Sequence, residues 1–272
     1  MFYRIIKTSL LALMAVLLFN SCSEYQKVLK DDDAARKFAV ADSLYQQGKY
    51  KKALKLMEQI VPVYRGKPQA EKLMYMYANT FYNLEDFYLA GYQFERFETS
   101  YPQSDSLEVA AYKSARSYYE LSPRYSLDQK DTYKGLERLQ SYIDKYPNSS
   151  FRTEANALVS ELREKLEKKD YEIAQQALNI EDYKAAIEGF DNFITDHPGA
   201  KLRKEAFFGR FEAAYRLAIN SLPSLINERL TTAKGYYKNF NKYYEDSDLT
   251  IEAKKIMADI DERMSEEEPA SK

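Results

Sequence analysis

Tyr50-Lys-Lys-Ala53-Leu-Lys-Leu-Met57 decides the fold, because the chain returns to its plan three more times. The later versions are Phe87-Tyr-Leu-Ala90-Gly-Tyr-Gln-Phe94, Tyr133-Lys-Gly135-Leu-Glu-Arg-Leu139 and Tyr183-Lys-Ala-Ala186-Ile-Glu-Gly-Phe190. Each sets an aromatic first, then a small residue, then a large apolar residue four positions further on. A four-residue step is one helical turn, so the small and the large residue share a face. Three of the segments run on to a ring followed by proline: Tyr101-Pro102, Tyr146-Pro147 and His197-Pro198. Proline lacks an N–H and pushes the residue before it out of the helical region, so each helix stops there and the chain turns back.

Working outward, a first helix precedes each of these second helices. Ala41 with Leu44, Ala78 with Phe81 and Ala115 with Tyr118 put a small residue three before a large one. Small residues let paired helices approach, and the large ones fill the groove between hairpins. Helix pairs that resemble one another along a chain are the mark of a stacked array. Here the sequence resembles the tetratricopeptide repeat, with its small residue, aromatic, Ala, large apolar residue and terminal Pro. A fifth hairpin runs over 202–245, with Phe208, Phe211, Ala214 and Tyr215 in its first helix. The helix over 249–264 carries an apolar face (Leu249, Ala253, Ile256, Met257, Ile260) suited to closing the stack. The fold class expected is all-α: a right-handed solenoid of about five tetratricopeptide-like hairpins with a C-terminal capping helix.

The spacing is uneven. Pro102 to Pro147 is 45 residues and Pro147 to Pro198 is 51. The first excess is the loop 122–131, and the second follows Pro147. Residues 150–179 contain no Gly or Pro and read as one long helix of about 45 Å at 1.5 Å per residue. The resulting division is a signal peptide over 1–21, a lipidated linker over 22–32 and an N-terminal repeat lobe over 33–147. The long linking helix and C-terminal lobe follow over 148–264, then a disordered acidic tail over 265–272.

The N-terminal segment sets the compartment. Arg4 and Lys7 precede the unbroken apolar run Leu10–Phe19, and Asn20, Ser21 and Cys22 follow. A charged start, a short apolar core and a small residue describe a secretory signal. The run is too short for a transmembrane helix, which needs roughly 20 apolar residues. Cys22 is the only cysteine, so it has no internal disulfide partner. Its position resembles the lipobox of bacterial lipoproteins, in which this cysteine is diacylated and then N-acylated. Two or more acyl chains anchor stably where one does not.

Composition excludes several classes. The full chain carries a net charge of −2, and loss of Arg4 and Lys7 takes the mature chain to −4, which offers no basic stripe for nucleic acid. With 8 Gly, 8 Pro and 30% charged residues the chain favours helix. One His and one Cys make no His/Cys metal cluster. No phosphate-binding glycine loop or nucleophile-elbow motif occurs. His197 takes the helix-end position that Tyr101 and Tyr146 hold in sister repeats, which argues against a catalytic base. Acids interleave with bases, as in Glu161-Leu-Arg-Glu-Lys-Leu-Glu-Lys-Lys, and read as a solvated face. The expectation is a non-enzyme with no cofactor apart from the lipid on Cys22, and no metal.

The 25 tyrosines, beside no tryptophan, carry more information. Three residues before and four after Ala41, Ala78 and Ala115 stand Phe38 and Tyr45, Tyr75 and Tyr82, Tyr112 and Tyr119. Seven residues are two turns, so each pair lies on one face. Between them lie Asp42, Asn79 and Arg116. In a tetratricopeptide stack these positions line the concave surface. The stripe therefore reads in two ways: as an aromatic groove with polar centres for an extended, aromatic-rich peptide, or as packing between adjacent hairpins.

The signal ending at Cys22, the five hairpins and two specific stretches are similar to the BamD family of outer membrane assembly lipoproteins. The stretches are Ala39-Val-Ala-Asp-Ser-Leu-Tyr-Gln-Gln-Gly-Lys-Tyr-Lys-Lys-Ala and Tyr146-Pro-Asn-Ser-Ser-Phe-Arg-Thr-Glu-Ala. The resemblance implies a lipid-anchored protein on the periplasmic face of the outer membrane, within the β-barrel assembly machinery. Its C-terminal lobe would dock a barrel-forming assembly subunit of the BamA type. Its N-terminal lobe would receive C-terminal strand signals of nascent outer membrane proteins, which end in an aromatic. Two other scaffold classes use similar repeats: lipoproteins that regulate cell-envelope or peptidoglycan synthesis, and glycan-binding surface lipoproteins. The latter stack sugars on tryptophan, which this chain lacks.

Overall fold

The computed structural model describes residues 24–266. The signal segment 1–21, Cys22 and residues 267–272 of the tail expected over 265–272 lie outside the described residues, while Ser265 and Glu266 continue the last helix. Among the described residues there are twelve helices and no strand. Residues 24–30 form α1. Then follow α2 (Ala34–Gln46), α3 (Tyr50–Tyr64), α4 (Ala70–Asn83), α5 (Phe87–Ser100), α6 (Leu107–Glu120) and α7 (Lys130–Lys145). The second half holds α8 (Arg152–Asn179), α9 (Tyr183–Asp196), α10 (Arg203–Ile219), α11 (Pro223–Tyr244) and α12 (Thr250–Glu266). Two compact units divide the chain: Lys130–Val159 joins the residues before Pro123, and Pro123–Gln129 joins those from Ser160 onward. The boundary falls inside α8, which is a single helix of 28 residues.

In the first unit each helix packs on the next from α2 to α7, and the first helices also touch one another, α2 on α4 and α4 on α6. Neighbour-only packing with skip contacts is the pattern of a helical repeat stack. The motif that opened the sequence reading forms its seam. Ala53, Ala90, Met57, Phe94 and Leu139 are all fully buried. Ala41 and Ala78 are fully buried as well, so the helices meet at the small residues. The second unit follows the same rule: α9, α10 and α11 pack in sequence, and α12 lies on both α10 and α11. Ala186 and Phe190 repeat the seam, and Ala253 and Ile260 bury the capping helix. Gly189 and Gly209 permit the closest approaches, since a Cβ on Gly189 would lie 2.9 Å from the Ala174 Cβ and one on Gly209 would lie 2.5 Å from the Phe190 ring.

The prolines end helices in one way. Tyr101 and His197 leave the helical region with φ of −132° and −122°, and each donates its N–H back four residues, to Phe97 and Phe193. Tyr146 does the same to Tyr142 at 2.9 Å.

Three of the turns inside hairpins also share one geometry. At α2, α4 and α8 the chain closes with two bonds from successive N–H groups: Gly48 to Tyr45 and Lys49 to Leu44, Glu85 to Tyr82 and Asp86 to Phe81, Glu181 to Leu178 and Asp182 to Ala177. This pair of bonds needs one residue in the left-handed region, where glycine has no steric penalty. Gly48 supplies it at φ 69°, but Glu85 and Glu181 adopt it at 61° and 65°. Glu181→Gly is therefore expected to raise stability by about 0.5–1 kcal/mol, read from the urea midpoint. The next residue caps the following helix. Asp86 and Asp182 accept the N–H of Leu89 and Ala185, each at 3.2 Å. Lys49 holds the equivalent place before α3 and makes no such bond. A missing carboxylate cap costs about 1 kcal/mol.

Tyr171 on α8 packs against Phe190 and Phe193 at ring distances of 5.7 and 5.8 Å. Burial, with nearby carboxylates, pushes its hydroxyl up to about 12. Because the folded value is the higher one, this stability is complete below about 10, where unfolded tyrosine ionises, and is lost as pH rises through the folded value. The urea midpoint should fall between pH 10 and 12, and Tyr171→Phe should shallow that fall.

Candidate functional site

The six aromatics singled out by spacing sit on α2, α4 and α6 of the first unit, together with Asp42, Asn79 and Arg116. Each set stands 37 residues from the next, as Ala41, Ala78 and Ala115 do. Constant spacing puts them at one register on three helices that are neighbours in space.

Five of the rings lean on the second helix of their own hairpin, Tyr112 against Tyr142 at 5.4 Å among them. Phe38 meets Tyr64 at 5.3 Å and Tyr45 meets Tyr50 edge-on at 5.7 Å. Tyr75 lies edge-on to Phe97 at 5.5 Å, and Tyr82 lies edge-on to Phe87 at 5.7 Å. Phe38, Tyr45, Tyr75, Tyr82 and Tyr119 remain partly exposed. Tyr112 does not: it is 4% exposed and stacks on Phe151 at 4.4 Å with an interplanar angle of 8°. The stripe thus serves hairpin packing with one edge of most rings and leaves the other edge on the face of the helix layer.

A polar ladder crosses the same face. Lys72 pairs with Asp42. The Asn79 side-chain N–H donates to the Tyr45 hydroxyl, and the Lys113 ammonium donates to the Asn79 carbonyl oxygen. The Lys113 ammonium also stands 5.3 Å from the centre of the Tyr82 ring, and burial pulls its pKa down. Arg116 pairs with Glu154 at the start of α8 and with Glu120 one turn on, at 3.5 Å. Lys72, Lys113 and Glu154 were not found by sequence reasoning. The repeat hides Lys113, because the equivalent places on α2 and α4 are Ala39 and Met76.

Asn79 is the rung that serves both neighbours. Asn79→Leu should cost about 1–3 kcal/mol, because it leaves a partly buried ammonium without its acceptor. The urea midpoint of the variant checks this. An added Lys113→Met should recover part of the loss by removing the stranded charge.

Asn79 is buried, with its amide engaged at both ends, so it braces the face from beneath. The part-exposed ring edges beside the Lys113 ammonium and the Arg116 guanidinium can hold aromatic side chains and backbone carbonyls of an extended chain. They hold no nucleophile with an adjacent base. His197, in the second unit, contacts Asp170 at 3.0 Å, and its ring lies tilted against Phe193 at 5.1 Å. Among the described residues no group of three His, Cys, Asp or Glu is placed to bind a metal. No described helix is long and apolar enough to cross a membrane.

The fold is that of a helical-hairpin repeat protein. The chain belongs to the family of outer membrane lipoproteins described as YfiO, whose model matches residues 30–224. One curated relative is the outer membrane protein assembly factor BamD of Caulobacter vibrioides, 29% identical over 126 residues. That match spans 46% of this chain and 41% of the relative. Among solved structures, a crystal structure of nearly identical TPR-like repeats from Podosopora anserina aligns over 76% of this chain and 95% of that one. Its identity of 13% and TM-score of 0.32 are too low to carry an argument.

Proposed function

We propose that the protein is a lipid-anchored scaffold that helps fold and insert outer membrane proteins, working on the periplasmic face of the outer membrane. Cys22 carries the lipid. The face built by Phe38, Tyr45, Tyr75, Tyr82, Arg116 and Tyr119, with Asn79 and Tyr112 beneath it, receives the aromatic-ended strand signals of nascent barrels. The C-terminal lobe over 148–264 holds a barrel-forming assembly subunit. The observation that carries the reading is the repeated aromatic register crossed by the Tyr45–Asn79–Lys113 ladder, in a chain of the YfiO family. Edge-exposed rings bind aromatic side chains, and the donors match the free carbonyls of an extended segment.

Co-purification from solubilised outer membranes tests it. Recovery of a barrel protein with periplasmic domains as the main partner supports the proposal. Recovery of peptidoglycan enzymes alone would move the protein to the class that regulates cell-wall synthesis.

A further inference from the structure

The first turn of α3 breaks a local rule. Lys49, Lys51 and Lys52 gather at the helix N-terminus, where the backbone dipole disfavours positive charge. Lys55 extends them by a turn. The sister hairpins place Asp86 and Asp182 at the position of Lys49 and gain a capping bond there. All four lysines are exposed, and none is in an ion pair among the described residues. The Lys49 ammonium donates only to the neutral Gln47 side chain, at 2.8 Å. A cluster that forgoes a cap and opposes the dipole marks a place selected for something other than stability.

Its position says what for. The Tyr25 hydroxyl donates to the carbonyl of Lys52 at 3.2 Å, and the Lys52 ammonium stands 5.3 Å from the centre of the Tyr25 ring. Val28 on α1 is buried in the core of the first hairpin. This fixes α1 on α3 with Tyr25 at the lysine end. Tyr25 is three residues from Cys22, a reach of about 10 Å at full extension. Lys49, Lys51 and Lys52 also line a groove of about 510 Å³ with Gly48, Tyr50 and Leu84. The groove joins the cationic rim to an aromatic and an aliphatic side chain. The acids that follow Leu84 are Glu85 and Asp86, so four lysines stand against two carboxylates.

We propose that the turn Gly48–Lys52, with Lys55, is a membrane-contact surface for anionic phospholipid headgroups beside the lipid anchor. The proposal rests on the reading of Cys22 as lipidated. An acyl anchor fixes one point and leaves the first unit free to swivel. A basic patch close to that point is attracted by anionic headgroups within a Debye length and sets which side faces the bilayer.

The test uses the mature chain with Cys22→Ser, so that no lipid contributes, and measures sedimentation with vesicles. One set is phosphatidylcholine alone and the other contains about 30% phosphatidylglycerol. Binding to the anionic set only is expected, weakening steeply with salt. The combined Lys49→Glu, Lys51→Glu, Lys52→Glu and Lys55→Glu variant should lose at least about tenfold in affinity. Reversal of Lys184, Lys238, Lys254 and Lys255 on the second unit should change it little. Lys49→Asp alone separates role from fold: it should raise the melting temperature by restoring a cap and still weaken vesicle binding. Equal binding to both vesicle sets, or equal loss from either charge reversal, would overturn the proposal. Lipid labelling of the wild-type chain in cells is read separately. A labelled chain without vesicle preference refutes the patch alone, and an unlabelled chain refutes the anchor alone.

Discussion

Phe190→Ala should lower the stability of the second unit by about 3–5 kcal/mol, seen as a fall in its urea midpoint. Phe190 is fully buried, and Tyr171 packs on its ring at 5.7 Å. Its ring end would lie 2.5 Å from a Cβ on Gly209, so α10 approaches α9 over a glycine because the phenyl fills that space. Gly209→Ala alone should destabilise by about 1–3 kcal/mol through overpacking, despite alanine's better helix propensity. The two changes should then couple. In the Phe190→Ala background the added methyl meets a void, so Gly209→Ala becomes neutral or favourable. Double-mutant additivity would mean that the two residues are not in contact as described.

Tyr112 and Tyr82 should separate packing from binding. Tyr112→Ala should cost the first unit about 3–5 kcal/mol, because a nearly buried ring stacked on Phe151 is removed. Tyr82→Leu should cost less than about 1.5 kcal/mol, since leucine keeps apolar volume against Phe87 and Phe94. It removes the exposed ring edge and the ring face near Lys113, however. Affinity for a peptide copied from the C-terminal strand of an outer membrane barrel should fall about tenfold. Fluorescence anisotropy measures the second effect and chemical denaturation the first. A Tyr82→Leu chain that binds as wild type would remove Tyr82 from the binding face.

Much of the fold could be read from spacing. The small-then-large pairs on the second helices, and the proline after each ring, mark helix faces and ends by steric rules that act within a few residues. The register of the aromatic stripe followed from the same rules, because three alanines 37 residues apart fix it. What spacing left open depends on residues outside the repeat. Tyr112 is covered by Phe151, which belongs to the segment after the third hairpin and has no counterpart before it. Lys113 joins the ladder from a place held elsewhere by alanine and methionine, so an alignment of repeats averages it away. Glu85 and Glu181 adopt left-handed backbone in turns where glycine stands once, and a glutamate carries no local signal for that conformation. Lys51, Lys52 and Lys55 were visible in the opening motif itself, with Lys49 one residue before it. Their meaning came only from the missing cap and from the packing of α1 beside them.

The central claim is that the aromatic face of the first unit holds unfolded barrel segments at the membrane. Its most direct measurement is photocrosslinking in living cells from a reactive phenylalanine analogue at position 82, with a second analogue at the exposed Tyr133 of α7 as reference. Peptides captured at position 82 should come from the C-terminal strands of nascent outer membrane proteins, at levels well above those at position 133. Capture confined to peptidoglycan enzymes, or equal at the two positions, would contradict the account.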